Sequence, residues 1–355
     1  MSGSPASRRA ALLRSLGRTG KARLRDLAEE LDVSMPTVRR DVEALSRQGR
    51  LTRRHGAVEL EDRSRLPRES GGAIGMMVST NRYLALIGQA ARREAERRGH
   101  RFLLEHVEDA EESRAATARL VAAGCVGLVC SPQWRTEEEA AEPLPWLAGA
   151  AVPVVLAGRD VEAGHPLFEL DSVIADHAYG MRLAMDHLQQ LGHTRILASI
   201  RDNTPPGRLL RRFFVAELHR RGLPQLGEPL LTPEGLEPAD FDAVVAAVLD
   251  QRATVVVMHT DTSAQVLVSA LRARGVDVPG RCSVVAYDDI VGPRAEVSLT
   301  SISPAKHQLG VEAVSLLLRR HLRARAGLDR PPVAHVRLLP ELVLRRSTGP
   351  VPTRF

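Results

Sequence analysis

The stretch DLAEELDVSMPTVRRDVEAL, residues 26–45, reads as two short helices joined by a tight turn. Leu24, Leu27, Ala28 and Leu31 recur at i, i+3, i+4 and i+7, a single apolar stripe that leaves Asp26, Glu29 and Glu30 to water. Asp32 and Val33 break that period. Ser34 suits the start of a second helix, Pro36 is tolerated in its first turn, and Val38, Val42 and Leu45 form the next buried stripe. The second helix therefore packs on one side only. Its other face offers Ser34, Met35, Thr37, Arg39 and Arg40, short hydroxyls at the positive helix end plus two guanidiniums, which suits phosphate oxygens and base edges in a major groove. The spacing predicts a helix-turn-helix whose second helix reads double-stranded DNA; the bland alternative is a helical hairpin with solvated arginines.

Downstream, RLTRRHGAVEL (50–60) alternates Leu51, Val58 and Leu60 about a basic, glycine-containing centre, which predicts a small hairpin, or wing, with Arg53, Arg54 and His55 at its tip. The block from about residue 6 to 60 resembles the DeoR-type winged helix-turn-helix through Val33, Ser34, Thr37, Arg39, Arg40 and Asp41 and the wing residues Arg53, His55 and Gly56. Such wings often carry two consecutive glycines, and here the second position is Ala57. The resemblance implies that Arg53, Arg54 and His55 approach DNA beside the recognition helix.

Charge is distributed accordingly. Residues 1–70 hold 16 Lys and Arg against 10 Asp and Glu, the remainder holds 33 of each, and the whole net charge of +6 thus lies in the N-terminal segment. That is the electrostatic footprint of a nucleic-acid module joined to a neutral one. Length points to more than one core, and 44% hydrophobic residues are ample for folding. Cys125, Cys130 and Cys282 are odd in number, sit in apolar runs and lack metal-ligand spacing, so they read as small buried residues. The N-terminus has no apolar signal core and no stretch approaches a membrane span, which leads to the expectation of a cytoplasmic protein with no membrane partner.

EDRSRLPRESGG (61–72) is polar and closed by Pro67 and paired glycines, a linker between a head at 1–60 and a larger module at 73–348. In that module short β-branched runs alternate with amphipathic helical stretches from Ala73 onward, which predicts an α/β fold of parallel sheets with buried faces. More than eight strands over this length suit two doubly wound subdomains better than one open sheet.

SVIADHAYGMRLAMDHLQQLGHTRI (172–196) resembles the LacI/GalR sensor signature SV..DN..G leading into HL..LGH..I, with His177 where the family has Asn. VPGRCSVVAYDDI (278–290), LTSI (299–302) and LPELVLRRST (339–348) resemble three further motifs of that family, in the same order. The resemblance implies a periplasmic-binding-protein-like type I sensor of two subdomains, an N-subdomain of about 73–158 plus 304–332 and a C-subdomain of about 159–303 plus 333–348. Their chain crossings are then expected near Ala157 to Val161, Ser303 and Pro331 to Ala334.

A ligand should lie between the subdomains, beyond the carboxyl ends of the strands. By matching motif positions the candidates are Asn81, Tyr83, Ser131, Arg182, Arg208, Phe214, Thr260, Asp261 and Asp288. The set has the chemistry of a polyol site: Arg182 and Asp288 as donor and acceptor for vicinal hydroxyls, Asp261 as a second acceptor, and Tyr83 or Phe214 to cover an apolar sugar face. Each has a structural counterpart, since Arg182 can pair with Asp176 and Asp288 can cap a turn.

No GxGxxG, Walker, HExxH or nucleophile-elbow motif is found, so no cofactor and no catalysis are expected. His187 and His193 are read as helix-end partners rather than metal ligands, and Glu169, Asp171 and Asp176 as a solvated acidic loop. The joining of a DeoR-type head to a LacI-like sensor is a departure from both patterns, and Pro67 with Gly71-Gly72 argues against an ordered hinge helix between them. The expectation is a homodimeric, sequence-specific DNA-binding regulator, a repressor answering to a sugar or similar small polar metabolite, with ligand closure altering the spacing of two heads on a palindromic operator. The alternatives are a cytoplasmic sugar-binding protein or cryptic sugar enzyme, and a constitutive DNA binder with a silent sensor.

Overall fold

A computed structural model describes residues 12, 15, 16, 21–31, 33–47, 51–54, 57–60, 72–79, 81–291, 296–329 and 331–352. The chain divides into two units, residues 1–70 and 71–355.

In the first unit the apolar stripes set the packing. Helix α1 (Leu24–Glu30) buries Leu24, Leu27 and Ala28, and helix α2 (Met35–Arg47) turns Val38, Val42 and Leu45 against them, with Leu12, Leu16 and Val58 closing the cluster. Burying each of these leucines and valines contributes roughly 1.5–3 kcal/mol. The turn is short because Val33 N donates back to Ala28 O at 3.1 Å, while the Ser34 carbonyl accepts from Thr37 N at 2.9 Å and Val38 N at 3.1 Å. Pro36 then occupies the first turn of α2, where its missing N–H has no intrahelical partner to lose. The expected hairpin is β2 (Leu51–Arg54) against β3 (Ala57–Leu60), antiparallel. Sequence reasoning missed a third strand, β1 (Lys21–Arg23), which pairs antiparallel with β3 and makes it the central strand. Three residues leading straight into a helix carry no readable period.

The second unit holds two sheets. The first runs in the order β13 (His335–Leu338), β8 (Asp171–Ala175), β7 (Val154–Ala157), β6 (Cys125–Cys130), β4 (Ala73–Val78), β5 (Arg101–His106), all neighbours parallel. The second runs β14 (Glu341–Val343), β12 (Thr300–Ser303), β11 (Ser283–Tyr287), β10 (Val255–Met258), β9 (Ile196–Ser199), parallel except for β14. Runs such as AIGMMV, VVLA and VVVM are buried at every position, as strands covered by helices on both faces must be. Helix α3 (Arg82–Arg97) packs beside the long C-terminal helix Lys306–Arg325 on the first sheet; Gly310 is needed there, because a Cβ would stand 2.3 Å from the carbonyl oxygen of Ile87. Three cysteines, Cys125, Cys130 and Cys282, are buried and free.

Sheet membership corrects two of the three expected crossings. Because β8 and β13 belong to the first sheet, the chain crosses at Asp176, at Pro304–Ala305 and at Leu339–Pro340, not near 157–161 or 331–334. Besides its pairing with β7 and β13, β8 is tied there by Asp171, fully buried, which accepts from Arg320 Nη2 at 2.8 Å, from Arg320 Nε, and from Ala334 N at 2.7 Å. The supposed solvated acidic loop thus contains a buried structural ion pair. Apolar periodicity marks a strand without telling which sheet receives it.

Candidate DNA-facing helix and effector cleft

On the first unit, Ser34, Met35, Arg39 and Arg40 are exposed and Thr37 is half-buried, on the side of α2 opposite Val38 and Val42. The Ser34 and Thr37 hydroxyls lie 2.9 Å apart at the start of α2. Arg53 and Arg54 sit in the backbone of β2; their side chains, and His55 entirely, lie outside the described residues.

The second unit has a cavity of about 280 Å³ where the carboxyl ends of both sheets converge. That is near the lower end of small-molecule sites, which suits a ligand of monosaccharide scale. The expected residues Asn81, Tyr83, Thr260, Asp261 and Asp288 line it. Two of these have their polar groups engaged as helix caps: Asn81 Oδ1 accepts from Leu84 N at 2.8 Å, and Thr260 Oγ1 from Ser263 N at 3.2 Å. Asp261, 1% exposed, accepts from the amides of Ile290, at 2.5 Å, and Val291, and so fixes the loop after β11. In that loop Asp288 and Asp289 both adopt left-handed backbone, φ 84° and 52°, a costly conformation for residues with a Cβ. Lys306 Nζ donates to the Asp288 carbonyl and Arg345 Nη1 to Asp289 Oδ1 at 2.6 Å, which hold the turn. Burial and the neighbouring Asp261 push the Asp288 carboxyl up to about 7, with Lys306 opposing.

Four expected residues stand elsewhere. Ser131 is buried, and its Oγ donates to Ala157 O at 2.7 Å, tying β6 to β7. Phe214 is 2% exposed within the core under the second sheet. Arg182 is on the outer surface of its helix, 56% exposed, with Glu217 at 3.7 Å. Arg208 spans the two subdomains instead of pointing into the cavity: its guanidinium donates to Trp134 O at 3.1 Å and Arg135 O at 2.9 Å on one side and to Asp202 O at 3.0 Å on its own.

The cavity is completed by residues that motif matching passed over. Arg159, one position beyond Gly158 at the end of β7, is 4% exposed and donates from Nε to Pro132 O at 2.5 Å and from Nη1 to Gly158 O at 2.8 Å. Burial brings its guanidinium down to about 10. His177 donates to, or accepts from, Tyr287 Oη at 2.8 Å through Nδ1, and burial lowers it to about 4. Burial, with Arg201 adding to it, lowers His259 to about 3; both rings are neutral at physiological pH. Arg201 and Gln133 also line the space. All except Tyr287 fall within about three residues after a strand end, so the rule that found Asp288 could have found them too. His187 meets Thr348 Oγ1 at 3.0 Å, and His193 meets Thr254 Oγ1 at 2.9 Å and Gly349 O at 3.0 Å, which are structural roles. Among the described residues no three His, Cys, Asp or Glu side chains cluster at metal-binding distance, and no helix is long and apolar enough to cross a membrane.

Comparison with known proteins matches both parts. Residues 8–64 match the model of the DeoR-like helix-turn-helix domain, and residues 185–348 that of the periplasmic binding protein-like domain. The chain is 25% identical over 339 residues to the arabinose metabolism transcriptional repressor of Geobacillus stearothermophilus, covering 91% of this chain and 90% of that one. It is 29% identical over 212 residues to the HTH-type transcriptional regulator DegA of Bacillus subtilis, a match spanning 58% of this chain and 59% of the relative. Among solved structures, the lac repressor dimer bound to operator and an anti-inducer superposes with a TM-score of 0.66 at 22% identity, covering 79% of this chain and 95% of that one. A CelR–cellobiose complex gives 0.64 at 24%, covering 89% and 91%. The chain thus joins a DeoR-like helix-turn-helix domain to a periplasmic-binding-protein-like domain of two parallel-sheet subdomains, the build of a ligand-responsive transcriptional regulator.

Proposed function

We propose that this chain is a ligand-responsive, sequence-specific transcriptional repressor that acts in the cytoplasm as a homodimer on palindromic operator DNA. Its effector is a sugar or a similar small polar metabolite bound in the cleft. The observation that carries the reading is the one-sided packing of α2, which buries Val38, Val42 and Leu45 and leaves Arg39 and Arg40 in solvent. Ser34, Met35, Thr37, Arg39 and Arg40 then contact the major groove, with Arg53, Arg54 and His55 beside them. The chain works by binding and not by turnover. An effector shifts operator affinity only by the ratio of its affinities for the two states, and operator shifts effector affinity by the same factor.

Selection of duplexes from a random DNA pool by the full-length protein tests this. A palindromic sequence should be enriched, and a cleft ligand should change its affinity; enrichment of no sequence would remove the DNA-reading role. A constitutive binder would enrich an operator and respond to no cleft ligand.

A further inference from the structure

Charges of the two signs are not satisfied alike in the cleft. The Asp261 carboxylate is matched by two backbone amides, Lys306 bonds the main-chain carbonyl of Asp288 and acts on its carboxyl only as a nearby cation, and Glu234 is exposed at the rim, accepting from Asn203 Nδ2 at 2.8 Å. The arginines have no such counter-charge. Arg159 is buried against the neutral carbonyls of Pro132 and Gly158, and among the described residues neither Arg159 nor Arg201 forms an ion pair with a carboxylate. Arg201 Nε and His259 Nδ1 are buried polar atoms with no hydrogen-bond partner among the described residues, and His259 is only 7% exposed. All three side chains line the same cavity, Arg159 from the first subdomain and Arg201 and His259 from the second. A desolvated guanidinium and orphaned polar atoms are costly unless something arrives to meet them.

We propose that the effector is an anion, a small polyhydroxylated acid whose carboxylate or phosphate is held by Arg201 with Arg159 supplying counter-charge from the opposite wall, while Asp288 receives a hydroxyl. The inference rests on the cleft being the effector site. A guanidinium is the side chain best matched to an oxyanion, because its planar donors can engage two oxygens at once. At neutral pH Asp288 is only partly ionised, which lessens its repulsion of an acid, whereas Arg159 at about 10 remains a cation. An acid group that meets both walls also favours the closed arrangement of the subdomains, so the same contact that selects the ligand drives the response.

The test is calorimetry on the full-length protein with matched triplets: D-glucose, D-gluconate and D-glucose 6-phosphate, then D-ribose, D-ribonate and D-ribose 5-phosphate, with inorganic phosphate alone as a further probe. At least one acid should bind about tenfold or more tightly than its parent sugar. Arg201→Ala should abolish that preference and Arg201→Lys restore part of it, with the melting midpoint of the ligand-free protein no lower in either and, where the orphaned Nε is removed, raised. Whether the carboxylate or the phosphate member wins identifies the acid group. Equal or tighter binding of the neutral parent overturns the proposal; if that sugar also shifts operator affinity, the regulator reading survives. Failure of every acid and of inorganic phosphate to bind or to raise the melting midpoint overturns the proposal as well, and an operator affinity that no cleft ligand alters would take the ligand-responsive reading with it.

Discussion

Arg39 and Arg40 on α2 and Arg159 and Arg201 in the cleft present the same guanidinium in opposite settings. The first pair stands in solvent on the far side of a helix whose apolar stripe is buried. The second lines a cavity, Arg159 with 4% of its surface exposed and Arg201 with a buried Nε that lacks a partner. Exposed cations cost little to maintain and attract any phosphate, so their affinity is salt-dependent and their selectivity comes from geometry at base edges. A buried cation such as Arg159, or the buried Nε of the half-buried Arg201, is already desolvated, so a ligand that fails to match it leaves it unsatisfied, and such groups can select by chemical class. On the proposed reading, one residue type would serve long-range attraction in one unit and discrimination in the other.

The contrast is broken most directly at α2. Each arginine contact to DNA is worth about 1–3 kcal/mol, so replacing Arg39 and Arg40 together by alanine should weaken operator binding on the order of a hundredfold or more. Because a homodimer loses four such guanidiniums, the slope of log affinity against log salt should also flatten by up to about four. Melting of the protein should be unaffected, since both side chains are exposed, and effector affinity should be retained. Fluorescence anisotropy across a salt series measures both quantities, and an unaltered slope would mean that another surface meets the phosphates. Effector affinity measured over the same series should vary much less.

The two settings were also unequally legible in the sequence. On α2 one period of 3.6 residues separates buried from exposed positions, so Val38, Val42 and Leu45 and the opposing Arg39 and Arg40 could be assigned from spacing alone. The order of strands and helices in the sensor was readable for a similar reason, because fully buried parallel strands are written as apolar runs. The cleft depends on contacts between residues far apart in the chain. β8 belongs to the first sheet through its pairing with β7 and β13, and Asp171 ties it to Arg320, 149 positions away. Motif positions likewise placed Arg208 at the ligand, whereas Trp134 and Arg135 offer it carbonyls from the other subdomain. Position in a motif names a residue without naming its partner.

A smaller effect sharpens the account of the cleft through pH. Asp288 has its carboxyl raised from 3.8 to about 7, so the folded state holds that proton more tightly than the unfolded state. The associated stability is present below about pH 4 and is lost as pH rises toward 7. Asp288→Asn does not titrate, so its stability relative to the parent should climb between those limits and then level off. Because Asp288 is half-buried, screening reduces the expected gain to about 1–2 kcal/mol. His177 and His259, held neutral by burial at about 4 and 3, act in the opposite sense: their stability is lost as pH falls below 6.5. That contribution is common to both proteins and cancels in the difference. Denaturant midpoints at stepped pH would show it, and a flat difference would mean that Asp288 is ionised throughout.

The smallest expected effect is at Arg182, and it is informative because the sequence made this residue a ligand contact. Its side chain is 56% exposed, and its nearest carboxylate, Glu217 at 3.7 Å, is already held by Arg220 Nη2 at 2.6 Å and Arg221 Nε at 2.9 Å. Removing Arg182 therefore strands no buried charge. Arg182→Ala should change stability by about 0.5 kcal/mol or less, as for other exposed ion pairs. It should also leave effector affinity within about twofold, since half a kcal/mol is the most a surface charge at that remove should contribute. Arg201→Ala, one helix away in the same subdomain, should instead lose the ligand preference altogether. If the two variants lost effector binding equally, burial would not be what separates the guanidiniums that select a ligand from those that only decorate the surface.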